Sequence, residues 1–242
     1  MCTVTFIPAK GRCFITSSRD ENAARANALE PELYEQDGIK LLYPKDAAAN
    51  GSWIALNENG TAAVLLNGAF VKHAPTAAYR KSRGLIFLDI IAQQQPEQYF
   101  AQIDLDNIEP FTLVLFADGC LYEGRWDGSK KYYKQLDENQ QYIWSSATLY
   151  SPAIINRRKN WFAKWLAETD SPTQKDIFNF HCFAGDGDIT NSVLMNRGEK
   201  MLTVSITGIE LNRDKGSMHY FDVLRKESAY SAMDFEQILH ER

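Results

Sequence analysis

The chain has few of the residues that usually do chemistry: four cysteines and four histidines in 242 residues. Cys2, Cys13, Cys120 and Cys182 show no Cys-x-x-Cys spacing. That excludes a zinc ribbon or a disulfide scaffold and predicts reduced thiols. His73, His181, His219 and His240 form no His-Glu-x-x-His pair, and the chain has no Gly-x-Ser-x-Gly elbow and no Walker loop. The common signatures of metalloproteases, serine hydrolases and nucleotide-binding proteins are therefore missing, and no metal or cofactor is expected. No run of about 18 apolar residues occurs, so no helical membrane span is expected. The opening residues lack the basic-then-apolar pattern of a secretory leader, so a cytoplasmic location is expected. Positive charge is outnumbered: 26 Lys and Arg against 31 Asp and Glu leave a net charge of -5. The densest basic cluster, Asn156-Arg157-Arg158-Lys159-Asn160, is short and reads as the solvated face of a helix. Nucleic acid, whose phosphates need a basic stripe, is not an expected partner. The sequence leaves the oligomeric state open.

Apolar residues are plentiful, at 45% hydrophobic and 12% aromatic. That suffices for a substantial core. With no repeat, low-complexity tract or Gly/Ser linker, a single domain over residues 1–242 is expected. Cys2, Val4 and Phe6 alternate with Thr3, Thr5 and Ile7, a break falls at Pro8-Ala9-Lys10-Gly11, and Arg12 to Ser17 read as a return strand. A second hairpin is predicted from Trp53 to Leu66 around Asn59-Gly60. Leu85 to Ile91 and a turn after Pro96 read as helices. Ser151-Pro152 is a helix start, with Ile154, Ile155, Trp161, Phe162, Trp165 and Leu166 as its core face. Further strands are predicted at 111–116, 120–126, 131–136, 142–148, 192–196, 201–211 and 217–224. Strands in runs rather than in single alternation with helices argue against a parallel doubly wound sheet. Two antiparallel sheets with helices outside, an α+β domain, fit better.

Cys2 has the fewest competitors as a catalytic group. If Met1 is removed, as a small second residue permits, Cys2 carries a thiol and an α-amine on one residue. Their ordinary pKa values are about 8.5 and 7.7–8.0. The amine can take the thiol's proton and return it to a leaving group, so no histidine is needed. His181 and Cys182 are neighbours, but in a strand their side chains face opposite ways and make a poor dyad.

Met1-Cys2 and the run Ser17-Ser18-Arg19-Asp20-Glu21-Asn22 at the end of the second strand resemble the NRDE family, which is related to the transport-and-Golgi-organisation proteins. Gly51-Ser52-Trp53-Ile54-Ala55, Asn59-Gly60, Leu66-Asn67, Phe111 to Phe116, Trp144 to Leu149 and Thr203 to Thr207 follow in family order. That family is similar to choloylglycine hydrolases and penicillin V acylases. The resemblance implies a four-layer αββα sandwich of two antiparallel sheets, the N-terminal-nucleophile hydrolase fold. It also implies cofactor-free cleavage of a non-peptide amide bond in a small acyl amide. By the same resemblance Cys2 is the nucleophile and Asp20 holds its amine. Arg19 tunes the thiolate, and Asn67 contributes to the oxyanion hole. Ser18 stands where the family has asparagine, and Ser146 stands where an asparagine follows Leu-Ser. Both are further candidate site positions. Other family members are linked to haem handling and secretory organisation. The alternative expectation is therefore a non-catalytic binding or trafficking protein, haem- or lipid-related, with Cys2, His73 or His181 as candidate ligands.

Overall fold

The computed structural model describes residues 2–74, 76 and 78–235, except the side chains of Cys2 and Glu199. Met1 and His240 lie outside the described residues. Period-two alternation at the start of the chain sets the architecture. Strand β1 (Cys2–Ala9) returns through Lys10-Gly11, with Gly11 at φ 73°, as β2 (Arg12–Glu21). Val4, Phe6, Cys13 and Ile15 face one side of this hairpin, while Ile7 and Phe14 face the other. The break expected at Pro8 comes two residues later, because β1 continues through Pro8 and Ala9.

Next come β3 (Leu29–Gln36) and β4 (Ile39–Lys45). Asp37 and Gly38 join them at φ 53° and 79°, the positive values that a two-residue hairpin turn requires. Strands β5 (Ile54–Asn57) and β6 (Ala62–Asn67) form the second expected hairpin. Asn57 Oδ1 closes its turn by accepting from the backbone N–H groups of Asn59 and Thr61, each at 3.0 Å. Helix α1 (Arg83–Ile91) starts at a Ser82 cap, and α2 (Pro96–Gln102) has proline in its first turn. They are followed by β7 (Phe111–Ala117), β8 (Cys120–Trp126), β9 (Lys131–Leu136) and β10 (Tyr142–Ser145). Helix α3 (Pro152–Glu168) is capped by Ser151, whose Oγ accepts from Ile154 N–H at 3.4 Å. Helix α4 (Gln174–Phe183) begins with a Thr173–Asp176 capping box. The described chain ends with β11 (Leu202–Asn212), β12 (Lys215–Asp222) and β13 (Glu227–Asp234).

All the pairings between these strands are antiparallel. One sheet runs β10-β1-β2-β11-β12-β13 and the other β3-β4-β5-β6-β7-β8-β9. Their inner faces meet in an apolar layer that includes Val4, Phe6, Ile15, Leu56, Val64, Val114 and Ile209. Helices α1 and α2 cover the outer face of the seven-stranded sheet with Phe87, Ile90 and Phe100. Helices α3 and α4 cover the six-stranded sheet with Phe162, Ile177 and Phe180. This is the expected αββα sandwich.

Four local expectations are corrected. His181 and Cys182 lie on a helix, not a strand, because the capping box at Thr173 starts α4 upstream of them. Residues 192–196 form no strand beyond the isolated bridge Asn196↔Leu202. Strand β10 stops at Ser145 rather than reaching Thr148. Arg158 is not on a solvated face: it is fully buried, pointing with Phe162 at the six-stranded sheet. Trp161, Trp165 and Leu166 pack only partly buried around that contact.

Leu56 is fully buried between the sheets. Leu56→Ala should cost about 2–5 kcal/mol through lost burial and the cavity left behind. A lower denaturant midpoint with an unchanged slope is the expected result.

Candidate active site

The pairing of β1 with β2 places Cys2 directly across from Arg19, and Thr3 from Ser18. Successive residues of a strand project to opposite faces, so Arg19 and Asp20 separate. Arg19 goes inward, between the sheets. Asp20 goes outward, beneath α3 and α4.

On the inner side Arg19 is almost fully buried. It donates from Nη2 to Asp46 Oδ2 at 2.7 Å, and its guanidinium lies 4.4 Å from the Trp53 ring centroid. Arg25 Nε also donates to Asp46 Oδ2, at 2.9 Å. Burial pushes the Asp46 carboxyl up, but the Arg25 hydrogen bond, the Ala49 N–H and the two guanidinium charges outweigh it and hold the group below its ordinary range. These residues wall a cleft of about 420 Å³, which Asn67 and Arg83 also line. The volume falls within the range of small-molecule sites. An adjoining recess of about 340 Å³ shares Arg25, Asn67 and Glu109 and adds His73, Lys72 and Thr148. His73 Nε2 is 3.1 Å from Glu109 Oε1.

Asn67 reaches this cleft because β6 ends there. Gly68 follows at φ 82°, a conformation that favours glycine, and a Cβ at that position would lie 2.7 Å from the Thr148 methyl. Ser146 Oγ donates to the Asn67 carbonyl at 2.8 Å. Strand β10 pairs Thr3 with Ser145, so Ser146 lies one residue further along that register, at the level of Cys2. The Ser146 hydroxyl thus ties the seven-stranded sheet to the six-stranded one beside the end of β1.

On the outer side Asp20 is fully buried. Tyr150 O–H donates to its Oδ2 and Thr203 O–H to its Oδ1, both at 2.6 Å. Burial raises the carboxyl pKa, and the Arg158 charge and the two hydroxyl hydrogen bonds offset this only in part. Ser18 meets His181: Oγ is 2.7 Å from Nδ1, while Thr5 Oγ1 is 2.9 Å from Nε2. Burial, reinforced by Arg158, pushes His181 down to about 3, so the ring is neutral. It donates at one nitrogen and accepts at the other.

The structure therefore groups Arg19, Asn67 and Ser146 on the inner side, with Asp20 and Ser18 on the outer side, all near the level of Cys2. The thiol of Cys2 lies outside the described side chains. Sequence reasoning missed Tyr150, Arg158, Thr203, His181, Arg25 and Asp46 as neighbours of these positions. Only two of them carried a readable signal. Thr203 falls inside the quoted segment 203–207, and Arg158 is a charge on a helix whose other inward residues are apolar. A larger cavity of about 640 Å³ opens at the opposite end of β1, lined by Pro8, Gly11 and Asp118 among others. The Cys13 thiol lies there, and burial pushes its pKa up to about 12, which leaves it inert. Among the described residues, no cluster of three or more His, Cys, Asp or Glu could hold a metal ion.

Two antiparallel sheets between helical layers, with the N-terminal strand at the rim of a cleft, define the N-terminal-nucleophile hydrolase fold. The structure is similar to a variant of conjugated bile acid hydrolase from Clostridium perfringens, with a TM-score of 0.60, 11% identity and 97% of both chains covered. It is similar to a second mutant of that hydrolase, with a TM-score of 0.56, 10% identity and 98% and 97% coverage. It is also similar to the Caenorhabditis elegans N-acylethanolamine-hydrolyzing acid amidase ortholog, with a TM-score of 0.55, 11% identity and 86% and 92% coverage. At such identities the likeness is one of fold. No curated protein sequence matches the chain. The chain matches the Transport and Golgi organisation 2 family over residues 1–230, and it belongs to that family.

The neutral His181 makes stability depend on pH. Its folded pKa of about 3 lies below its ordinary 6.5. The unfolded chain therefore takes up the proton first, and this contribution is present above pH 6.5 and lost as pH falls from there toward 3. Denaturant unfolding at pH 7 and pH 4.5 should show His181→Gln losing about 2–3 kcal/mol less than the parent between the two values.

Proposed function

We propose that the protein, once Met1 is removed, is an N-terminal-cysteine amidohydrolase that cleaves the non-peptide amide bond of a small acyl amide. One observation carries this reading. The register of β1 and β2 sets Cys2 opposite Arg19 at the wall of a cleft that Asn67 also lines, with Asp20 on the other face of the same strand. In this mechanism the Cys2 thiol attacks the amide carbonyl carbon while its own α-amine takes the thiol proton. The Asp20 carboxylate balances the resulting ammonium. The side-chain amide of Asn67 donates to the tetrahedral oxyanion, a contribution of about 3 kcal/mol when well aimed. The ammonium then returns the proton to the leaving nitrogen as the C–N bond breaks, leaving a thioester on Cys2. Water, deprotonated by the same amine, attacks the thioester. It releases the acid and restores the thiol. Arg19, fixed by Asp46 and Trp53, places a positive charge that favours the thiolate.

Fold supports the substrate class without fixing it. The similar structures are named for hydrolysing conjugated bile acids and N-acylethanolamines, whereas fold by itself does not determine chemistry. A cytoplasmic setting suits the reading, since it keeps the thiol reduced.

Intact mass should show that Met1 is absent from the purified protein. A screen of acylated amino acids, penicillin V and conjugated bile acids should then find a substrate. On it, Cys2→Ala should abolish turnover while keeping the parent's unfolding midpoint, and Asn67→Ala should lower kcat by about 10²–10³-fold. Undiminished turnover by Cys2→Ala would falsify the proposal.

A further inference from the structure

Arg158 projects from the middle of α3 to the underside of the strand that carries Cys2, and it has no exposed surface. Its Nη1 donates to Thr3 Oγ1, one residue from Cys2. Its Nε and Nη2 each donate to the Asn191 carbonyl at 3.1 Å, and Nη2 also reaches the Ser192 carbonyl. The guanidinium carbon lies 3.7 Å from the Tyr150 ring centroid. Tyr150 in turn donates to Asp20. A buried cation and a buried carboxylate therefore share one aromatic ring between them. Anchoring α3 to the sheet does not require this. Phe162, one turn later on the same face, anchors it with apolar surface, and a buried ion pair generally stabilises a fold no better than well-packed apolar residues.

We propose that Arg158 and Tyr150 are positioning residues that keep Asp20 ionised beneath the strand end bearing Cys2. This rests on the reading of Cys2 and Asp20 given above and names the groups that set their charge state. Around Asp20, α4 contributes only the neutral His181, and β11 contributes the Thr203 hydroxyl. The segment before β11 contributes Arg197, whose guanidinium lies 5.4 Å from the Tyr150 ring centroid. Arg19 and Glu21, on β2 itself, project from the other face. Burial disfavours the Asp20 carboxylate. The Arg158 charge, followed by the Thr203 and Tyr150 hydrogen bonds, works against that penalty. Without Arg158, Asp20 takes a proton at higher pH. It then no longer balances the Cys2 ammonium, and the thiolate form of Cys2 declines with it.

The test is the pH profile of Cys2 alkylation by iodoacetamide in full-length protein shown by intact mass to lack Met1. Peptide mass resolves Cys2 from Cys13, Cys120 and Cys182. Asp20→Asn should move the acid limb of the profile to higher pH, further than any other variant. Arg158→Gln should move that limb up by about one pH unit or more, as loss of a nearby opposite charge does. Arg158→Lys should restore it in part. Tyr150→Phe keeps the ring under the guanidinium and removes one hydroxyl, so it should shift the limb in the same direction by less. It decides the matter should Arg158→Gln fail to fold. If Asp20→Asn moves the limb up while folded Arg158→Gln and Tyr150→Phe keep the parent profile, Arg158 and Tyr150 only support the fold and the inference is overturned. An Asp20→Asn profile identical to the parent's would instead refute the role given to Asp20.

Discussion

The architecture of the site depends on one constraint, the two-residue period of β2 where it runs beside β1. Register fixes Arg19 opposite Cys2. Alternation then sends Arg19 and Asp20 to opposite faces of the same sheet. A slip of one residue would exchange them, putting the carboxylate against Trp53 and the guanidinium under α3. Apolar residues further along prevent that slip. Cys13 and Ile15 are locked into the layer between the sheets, and Phe14 into the layer beneath the helices.

Each face then receives the environment its residue needs. The inner face is a polar cleft, where two guanidiniums share the Asp46 carboxylate and part of the charge remains near water. The outer face is sealed. There Asp20, His181 and Arg158 have no exposed surface, and every polar contact has to come from within. The hydroxyls of Thr3, Thr5, Ser18, Tyr150 and Thr203 are among those contacts, together with the Asn191 and Ser192 carbonyls that accept from Arg158. Ser18 fits this setting because its short side chain leaves room for the His181 ring. A longer asparagine amide, which the family resemblance implies at this position, would compete for that space. The family's second asparagine position, Ser146, works differently: its hydroxyl holds the Asn67 backbone rather than facing His181.

Much of the fold was legible in the chain. The hairpins at Gly11 and Gly60, the Ser151-Pro152 helix start and the strands β7, β8 and β9 appear where local patterning puts them, while β10 ends three residues early. The strands β3, β4 and β13 were not read. Strand β3 carries Pro31 and mostly exposed residues, and β13 is largely polar and partly exposed, so both lack the alternation that reveals a half-buried strand. Both are edge strands of their sheets. Helix α4 was missed because its core face has only Ile177, Phe180 and the buried His181. That histidine counts as polar until a partner hydroxyl is known.

The sequence by itself determined the alternation that separates Arg19 from Asp20, the turns that bring β1 against β2, and the family to which the chain belongs. Those signals are local, carried by neighbours within a few residues of one another. Only the tertiary structure decided that Arg158 is buried, that His181 is neutral, and that Tyr150 and Thr203 grip Asp20. These partners lie between 130 and 183 residues from Asp20 along the chain, or on helices whose orientation is fixed by packing. A residue's charge state depends on what surrounds it in space, and no pattern along the chain encodes that.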